Sequence, residues 1–167
     1  MTEEASVSNT AFREALSHFA SGVTVVTVET AEGPVGFTAT GFTSVSLVPP
    51  LVLVCIDEDA SAHDAVVAGE HFGISILSVD QPWVALQFAR SNIDRFHGVP
   101  LREPPKGGRW RAPFIEGALV HLECRKHARY IEGDHTILIG RVLLADVHPG
   151  RPLLHYARQF GSLEKLV

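Results

Sequence analysis

GFTATGFTSVSLVPPLVLVCI, residues 36–56, is the stretch on which the fold turns. Val35 to Val45 is crowded with threonine, serine and valine, side chains that suit a pleated, half-buried surface better than a helix. Pro49-Pro50 then imposes an extended entry into Leu51 to Ile56. That continuous apolar run has the length expected of a strand buried on both faces. Upstream, Gly22 to Val28 (GVTVVTV) is again β-branched, and Glu32-Gly33-Pro34 supplies turn chemistry between the two runs. The two runs are expected to form a hairpin that feeds a third strand.

Working outward, Thr10 to Ala20 sets Phe12, Ala15, Leu16 and Phe19 at helical spacing with Gly22 just beyond, which predicts a short amphipathic helix. Downstream the pattern predicts a short helix over Ser61 to Ala68, a strand over Phe72 to Leu77, and a helix over Gln81 to Ser91 with Val84, Leu86, Phe88 and Ala89 on and around its buried side. Asn92 to Pro113, rich in proline, glycine and arginine, predicts a long irregular loop. Two long strands, Ala118 to Ile131 and Thr136 to Val147, are joined through the turn-forming Glu132-Gly133-Asp134-His135. Pro152 to Arg158 suits a final helical turn. Six or so strands, few helices and no regular strand–helix alternation argue for an antiparallel barrel over a doubly wound parallel sheet.

The chain has 167 residues, 46% of them hydrophobic and 20% charged, which is material for one core and one domain over residues 1–167. Its formal charge of −5 is spread along the chain, so no cationic stripe is available for a phosphate backbone and nucleic acid is not an expected partner. Met1 to Asn9 is polar and acidic, and no apolar stretch approaches a membrane span, so the expectation is a soluble, cytoplasmic protein with no membrane partner. Cys55 and Cys124 stand alone in apolar runs, as buried reduced thiols do. The motifs GxSxG, HExxH, GxxxxGK[ST] and GxGxxG are all missing, which removes the commoner hydrolase, metallopeptidase and nucleotide-binding classes. His121 and His127 would share a strand face about 20 Å apart, so no metal centre is expected.

What remains for chemistry is a set of small and hydroxyl-bearing residues. Gly36 to Ser44 would let a flat ligand approach main-chain amides, or would simply line a half-exposed strand. Cys55-Ile56-Asp57 followed by Ser61-Ala62-His63 places a helix start near that strand, suited either to a phosphate or to ordinary capping by Ser61. His135 in its turn could donate to a carboxamide or phosphate, or be solvated. Arg90 and Arg95 flank a helix end and could meet an anionic ligand, or only water.

Taken in order, these segments resemble the flavin reductase-like family, the flavin-binding split barrels that often serve two-component flavin-dependent monooxygenases. The matching stretches are Phe12 to Thr27 (FREALSHFASGVTVVT), Gly36 to Cys55, Phe72 to Phe88 (FGISILSVDQPWVALQF), Arg95-Phe96, Gly117 to Cys124 (GALVHLEC), Glu132 to Val142 (EGDHTILIGRV) and Pro152-Leu153-Leu154. The resemblance implies a mainly β fold, a six-stranded antiparallel split β-barrel with a few short helices, assembled as a homodimer. It implies an NAD(P)H:flavin oxidoreductase that passes hydride from NADH or NADPH to FMN or FAD and supplies a partner monooxygenase. Carried onto this sequence, Gly36, Phe37, Thr38, Ala39, Thr40 and Gly41 would meet the ring system and ribityl chain. Cys55, Ile56 and Asp57, with Ser61 and Ala62, would meet the ribityl and phosphate groups, and Gln87, Phe88 and Ser91 the remaining edge. His135 would contact the nicotinamide as the catalytic residue. A flavin- or haem-binding module of the same fold without nicotinamide activity is the alternative, because fold does not fix function. Two departures stand out: Thr40-Gly41 replaces the Asn-Ser that relatives often carry, and the usual Tyr-Arg-Gly-x-Tyr reads Tyr156-Ala157-Arg158-Gln159-Phe160.

Overall fold

The computed structural model describes residues 6–104 and 109–164. Met1 to Ala5 of the acidic N-terminus, and Pro105 to Gly108 within the predicted Asn92–Pro113 loop, lie outside the described residues. In chain order the elements are α1 (Asn9–Ser17), β1 (Ser21–Gly22), β2 (Thr24–Thr30), β3 (Gly33–Ala39), β4 (Phe42–Leu47), β5 (Pro50–Asp57), α2 (His63–Ala68), β6 (His71–Ile76), α3 (Pro82–Ala89), β7 (Val120–Glu132), β8 (His135–Val147), β9 (Leu154–Tyr156) and β10 (Gln159–Gly161). No helix among the described residues is long and apolar enough to cross a membrane.

The fold is mainly β, with every strand pairing antiparallel. Among the described residues a seven-stranded sheet runs β3-β2-β6-β7-β8-β5-β4, and a small sheet runs β1-β9-β10. Where a six-stranded split barrel was expected, the main sheet has seven strands among the described residues, and its outer strands, β3 and β4, do not pair. The extra strand arises because Val35 to Val45 breaks at Thr40-Gly41 instead of running through. That break has a geometric consequence. Ala39 and Phe42 are three residues apart and so within about 11 Å, whereas the edges of a flat seven-stranded sheet would stand about 28 Å apart. The sheet must curl until its two edges meet at Thr40-Gly41, leaving an unpaired seam.

Two apolar clusters flank the sheet. Inside the curl, Val26, Val28, Phe37, Val54, Ile56, Phe72 and Leu138 pack with Val66 and Val67 of α2. Outside it, Val23, Val25 and Leu77 pack against Val84, Ala85 and Phe88 of α3, with Val99 and Ile115 from the following loop. The strands buried on both faces are thus β2 and β6, not the predicted β5. Thr24 to Val28 are all buried, whereas β5 alternates between buried Val52, Val54, Ile56 and half-exposed Leu51, Leu53, Cys55. α3 covers the outer face of β2, where Val25 joins its cluster, whereas the outward side chains of β5 stay half-exposed.

Three further expectations change. Helix α1 stops at His18 instead of running towards Gly22, and although Ser8 caps it at 3.3 Å to the Ala11 amide, none of its residues is buried. Pro152 to Arg158 forms no helical turn, because Leu154–Tyr156 pairs with β1 and β10. His121 and His127, expected on one strand face, differ in environment: the first is buried and the second exposed, with register shifts in β7 between and around them.

Candidate active site

The seam opens onto a cavity of about 540 Å³. Its floor is the end of β3, Phe37 to Ala39, and the Thr40-Gly41 link. Backbone proximity here is enforced: the Cys55 amide donates to the Gly41 carbonyl at 2.8 Å, and a Cβ on Gly41 would stand only 3.1 Å from the Cys55 Cβ. The second wall is β5, from which Cys55 and Asp57 face the cavity. Side chains alternate along a strand, so Ile56 between them turns into the core and is fully buried. Its side chain therefore lines no part of the cavity.

Phe88, Ala89, Ser91 and Arg95, from the end of α3 and the segment after it, form the third wall. Thr38 ties this wall to the floor, its hydroxyl donating to the Ala85 carbonyl at 2.7 Å. Asp59, Ala60 and Ser61 make the rim before α2, and His135 at the start of β8 stands over the mouth.

Three more predicted site residues fall outside the cavity. Gly36 is a packing glycine: a Cβ there would lie 2.9 Å from the Val26 carbonyl oxygen and 3.0 Å from the Phe88 ring. Ala62 is fully buried in the inner cluster. It also takes the N-cap position of α2, with no side-chain cap bond, which removes the capping role expected of Ser61. Gln87 is occupied elsewhere, its Nε2 donating to the carbonyls of Arg95 and His97 at 2.9 Å each and so pinning the loop after α3.

The electrostatics of the mouth rest on few groups. Asp134 Oδ1 lies 2.7 Å from His135 Nδ1, and this hydrogen bond is the main cause that holds the Asp134 carboxyl below its ordinary pKa. An ionised carboxylate only accepts, so Nδ1 carries a proton and Nε2 is left free. Behind it, His63 fastens α2 to β8 through 2.9 Å contacts to Asp64 Oδ1 and Thr136 Oγ1. Arg95 donates to the carbonyls of Arg90 at 2.6 Å and Gly36 at 2.8 Å. Burial lowers its pKa, but a guanidinium remains charged. Of the flanking pair weighed from sequence, Arg95 lines the cavity and Arg90 does not. Asp59, Ala60 and Ala89 carried no distinguishing signal in sequence.

A pocket built of main chain and small side chains, with Phe37 and Phe88 packed behind them, a cation at one end and an imidazole at the mouth, suits a planar polar heterocycle with an anionic tail. Residues 16–164 match the family described as Flavin reductase like domain. The chain is 42% identical over 154 residues to an NADH-dependent FMN reductase of Agrobacterium fabrum, covering 92% of this chain and 86% of the relative. It is 37% identical over 150 residues to the reductase component of a 4-nitrophenol and 4-nitrocatechol monooxygenase of Rhodococcus opacus, covering 90% and 78% respectively. Among solved structures, an NADH:FAD oxidoreductase of Streptomyces globisporus superposes with a TM-score of 0.86 at 38% identity, covering 98% of this chain and 99% of that one. The same oxidoreductase has been solved in complex with NAD and FAD fragments.

Proposed function

The chain belongs to the flavin reductase-like family, and from that premise we propose that it is an NAD(P)H-dependent flavin reductase working in the seam cavity and supplying reduced flavin to a partner monooxygenase. The observation that carries the assignment of the site is the cavity itself, about 540 Å³ of space between β3, β5 and α3 with His135 over its mouth. Its volume lies in the range of small-molecule sites, and the close approach to Cys55 leaves little room for a side chain at Gly41.

The residues present fit FMN or FAD. Thr38, Ala39, Thr40 and Gly41 offer main-chain donors and acceptors to the ring edge, with Phe37 and Phe88 packed behind them. Asp57 accepts from ribityl hydroxyls, while Arg95, Ser61 and Ser91 meet the phosphate. A bound flavin supplies the acceptor for a nicotinamide hydride. The chain therefore needs no nucleophile or strong base. It contributes position, and its walls keep water off the reacting faces. His135, oriented by Asp134, presents Nε2 to the nicotinamide carboxamide.

A homodimer belongs to the same proposal. α1 carries Phe12, Leu16 and, just beyond, Phe19 at 52%, 57% and 76% exposure, and a second copy of the chain is the natural cover for such a face.

Anaerobic addition of NADH, and separately NADPH, to the protein with FMN or FAD tests the function. Bleaching of the flavin spectrum is expected. A flavin that binds but stays oxidised with both nicotinamides would leave only a carrier module, and failure of either flavin to bind would remove the site.

A further inference from the structure

At the opposite end of β8 from His135, one buried histidine is left with a bare nitrogen. His121 is fully buried, and its Nε2 lies 2.8 Å from the Ile115 carbonyl oxygen. A carbonyl only accepts, so Nε2 carries the proton and the lone pair of the neutral ring sits on Nδ1. That Nδ1 has no hydrogen-bond partner. It lies 3.9 Å from Asp146 Oδ2, so two acceptors face each other, an arrangement that calls for a cation between them.

The strand register completes the set. β7 and β8 pair His121 opposite Asp146, and His148, two residues on, brings its Nε2 to 3.1 Å from the same Oδ2. The donor atoms of the three residues all lie within 4.8 Å of one another. We propose that His121 Nδ1, His148 Nε2 and the Asp146 carboxylate bind a divalent transition-metal ion of zinc-like preference.

The distances support this. Bonds of about 2.0–2.2 Å in a tetrahedral site put neighbouring donors roughly 3.3–3.6 Å apart, between the 3.1 Å and 3.9 Å separations found around Oδ2. Two imidazoles and one carboxylate suit a borderline cation, whereas calcium and magnesium favour oxygen donors throughout. The Ile115 carbonyl fixes the tautomer and orientation of His121, as outer partners of metal-bound histidines do. Asp146 also lines a surface cavity of about 580 Å³ with Trp110 and Leu144, which gives an entry path and room for a water as fourth ligand. On binding, His148 would turn its Nε2 lone pair to the ion, the neutral ring carrying its proton on Nδ1.

Arg102 is the competitor. Its Nε and Nη2 donate to the same Asp146 Oδ2 at 3.1 Å and 2.9 Å, and its Nη1 lies 3.7 Å from Glu116 Oε2. An incoming ion would displace the guanidinium towards Glu116. The metal centre is separate from the seam cavity: Asp146 is eleven residues from His135 along β8, about 37 Å at the usual rise.

The test uses the full chain after chelator treatment, titrated with Zn2+ by calorimetry and with Co2+ by visible absorbance. One ion per chain is expected, with a rise in Tm. Asp146→Asn or His148→Ala, both at half-exposed positions, should weaken binding at least tenfold, and Arg102→Gln should tighten it several-fold. His127→Ala should change nothing, and flavin reduction should be the same with and without the ion. The absence of a stoichiometric site, or zinc binding that survives both Asp146→Asn and His148→Ala in variants shown by circular dichroism to be folded, would overturn the proposal.

Discussion

His135 has only one ring nitrogen to offer a ligand, because Asp134 holds the other at 2.7 Å. If that nitrogen meets the nicotinamide carboxamide, His135→Ala removes one hydrogen bond, a loss of about 1.4 kcal/mol and hence roughly tenfold. The expected outcome is a KM for NADH raised about tenfold with FMN affinity unchanged, measured by steady-state kinetics alongside flavin titration; equal KM values would take His135 out of the site. The two thiols give a second residue-level test. Burial, with the Glu123 charge behind it, pushes the Cys124 thiol up to about 12, and a thiol this reluctant to ionise is a poor nucleophile. Cys55 is half-exposed and lines the seam cavity. One equivalent of a thiol reagent should react with the folded protein, at Cys55, and FMN should slow it; labelling at an equal rate with FMN present would place the flavin elsewhere. That Phe37, Thr40, Cys55 and His135 line one cavity agrees with their having been picked out together from the order of their motifs along the chain. Gly36 was not legible. A glycine that makes room for a ligand and one that makes room for Phe88 and the Val26 carbonyl are the same absence of a Cβ, and only the fold separates them.

At the level of elements, long strands with chemically marked turns were readable. β7 and β8 were expected from two apolar runs around Glu132-Gly133-Asp134-His135, and the structure joins them there with Gly133 at φ +65°. Short elements were not. Pro152 to Arg158 carries too few residues for a period to declare itself, and its strand character comes from pairing with β1 and β10. The hairpin between β9 and β10 turns through Ala157 and Arg158, both at positive φ, 48° and 63°. Non-glycine residues pay about 1 kcal/mol or more for that conformation, and two-residue turns of this type prefer Asn-Gly. The exposed Arg158–Glu14 pair at 2.9 Å adds little in return. The double substitution Ala157→Asn with Arg158→Gly should therefore raise stability by about 1 kcal/mol, read as a higher urea midpoint at unchanged slope. A lower midpoint would mean that the tie between this hairpin and α1, where the Ala157 amide donates to the Ser17 carbonyl at 2.8 Å, depends on the native pair.

For the molecule as a whole, strand order was beyond the sequence because it is set by pairings between distant residues. Nothing local to Val35–Val45 shows that its halves end on opposite edges of a seven-stranded sheet. The curl follows from the two-residue link, and the cavity follows from the curl. The same limit applies to α1. Its apolar period is plain in sequence and predicts an internal face, yet the folded chain leaves Phe12 and Leu16 52% and 57% exposed. A single chain thus leaves unfinished what its amphipathic pattern implies, and burying each of these side chains against a second copy would contribute about 1.5–3 kcal/mol. Phe12→Glu with Leu16→Glu should convert a dimer to a monomer, measured by light scattering on a sizing column. α1 lines no part of the seam cavity, so flavin titration by the separated chains shows whether the site is complete within one copy. Native protein that elutes as a monomer, or a double variant that stays dimeric, would show that this face is covered by something other than its own symmetry mate.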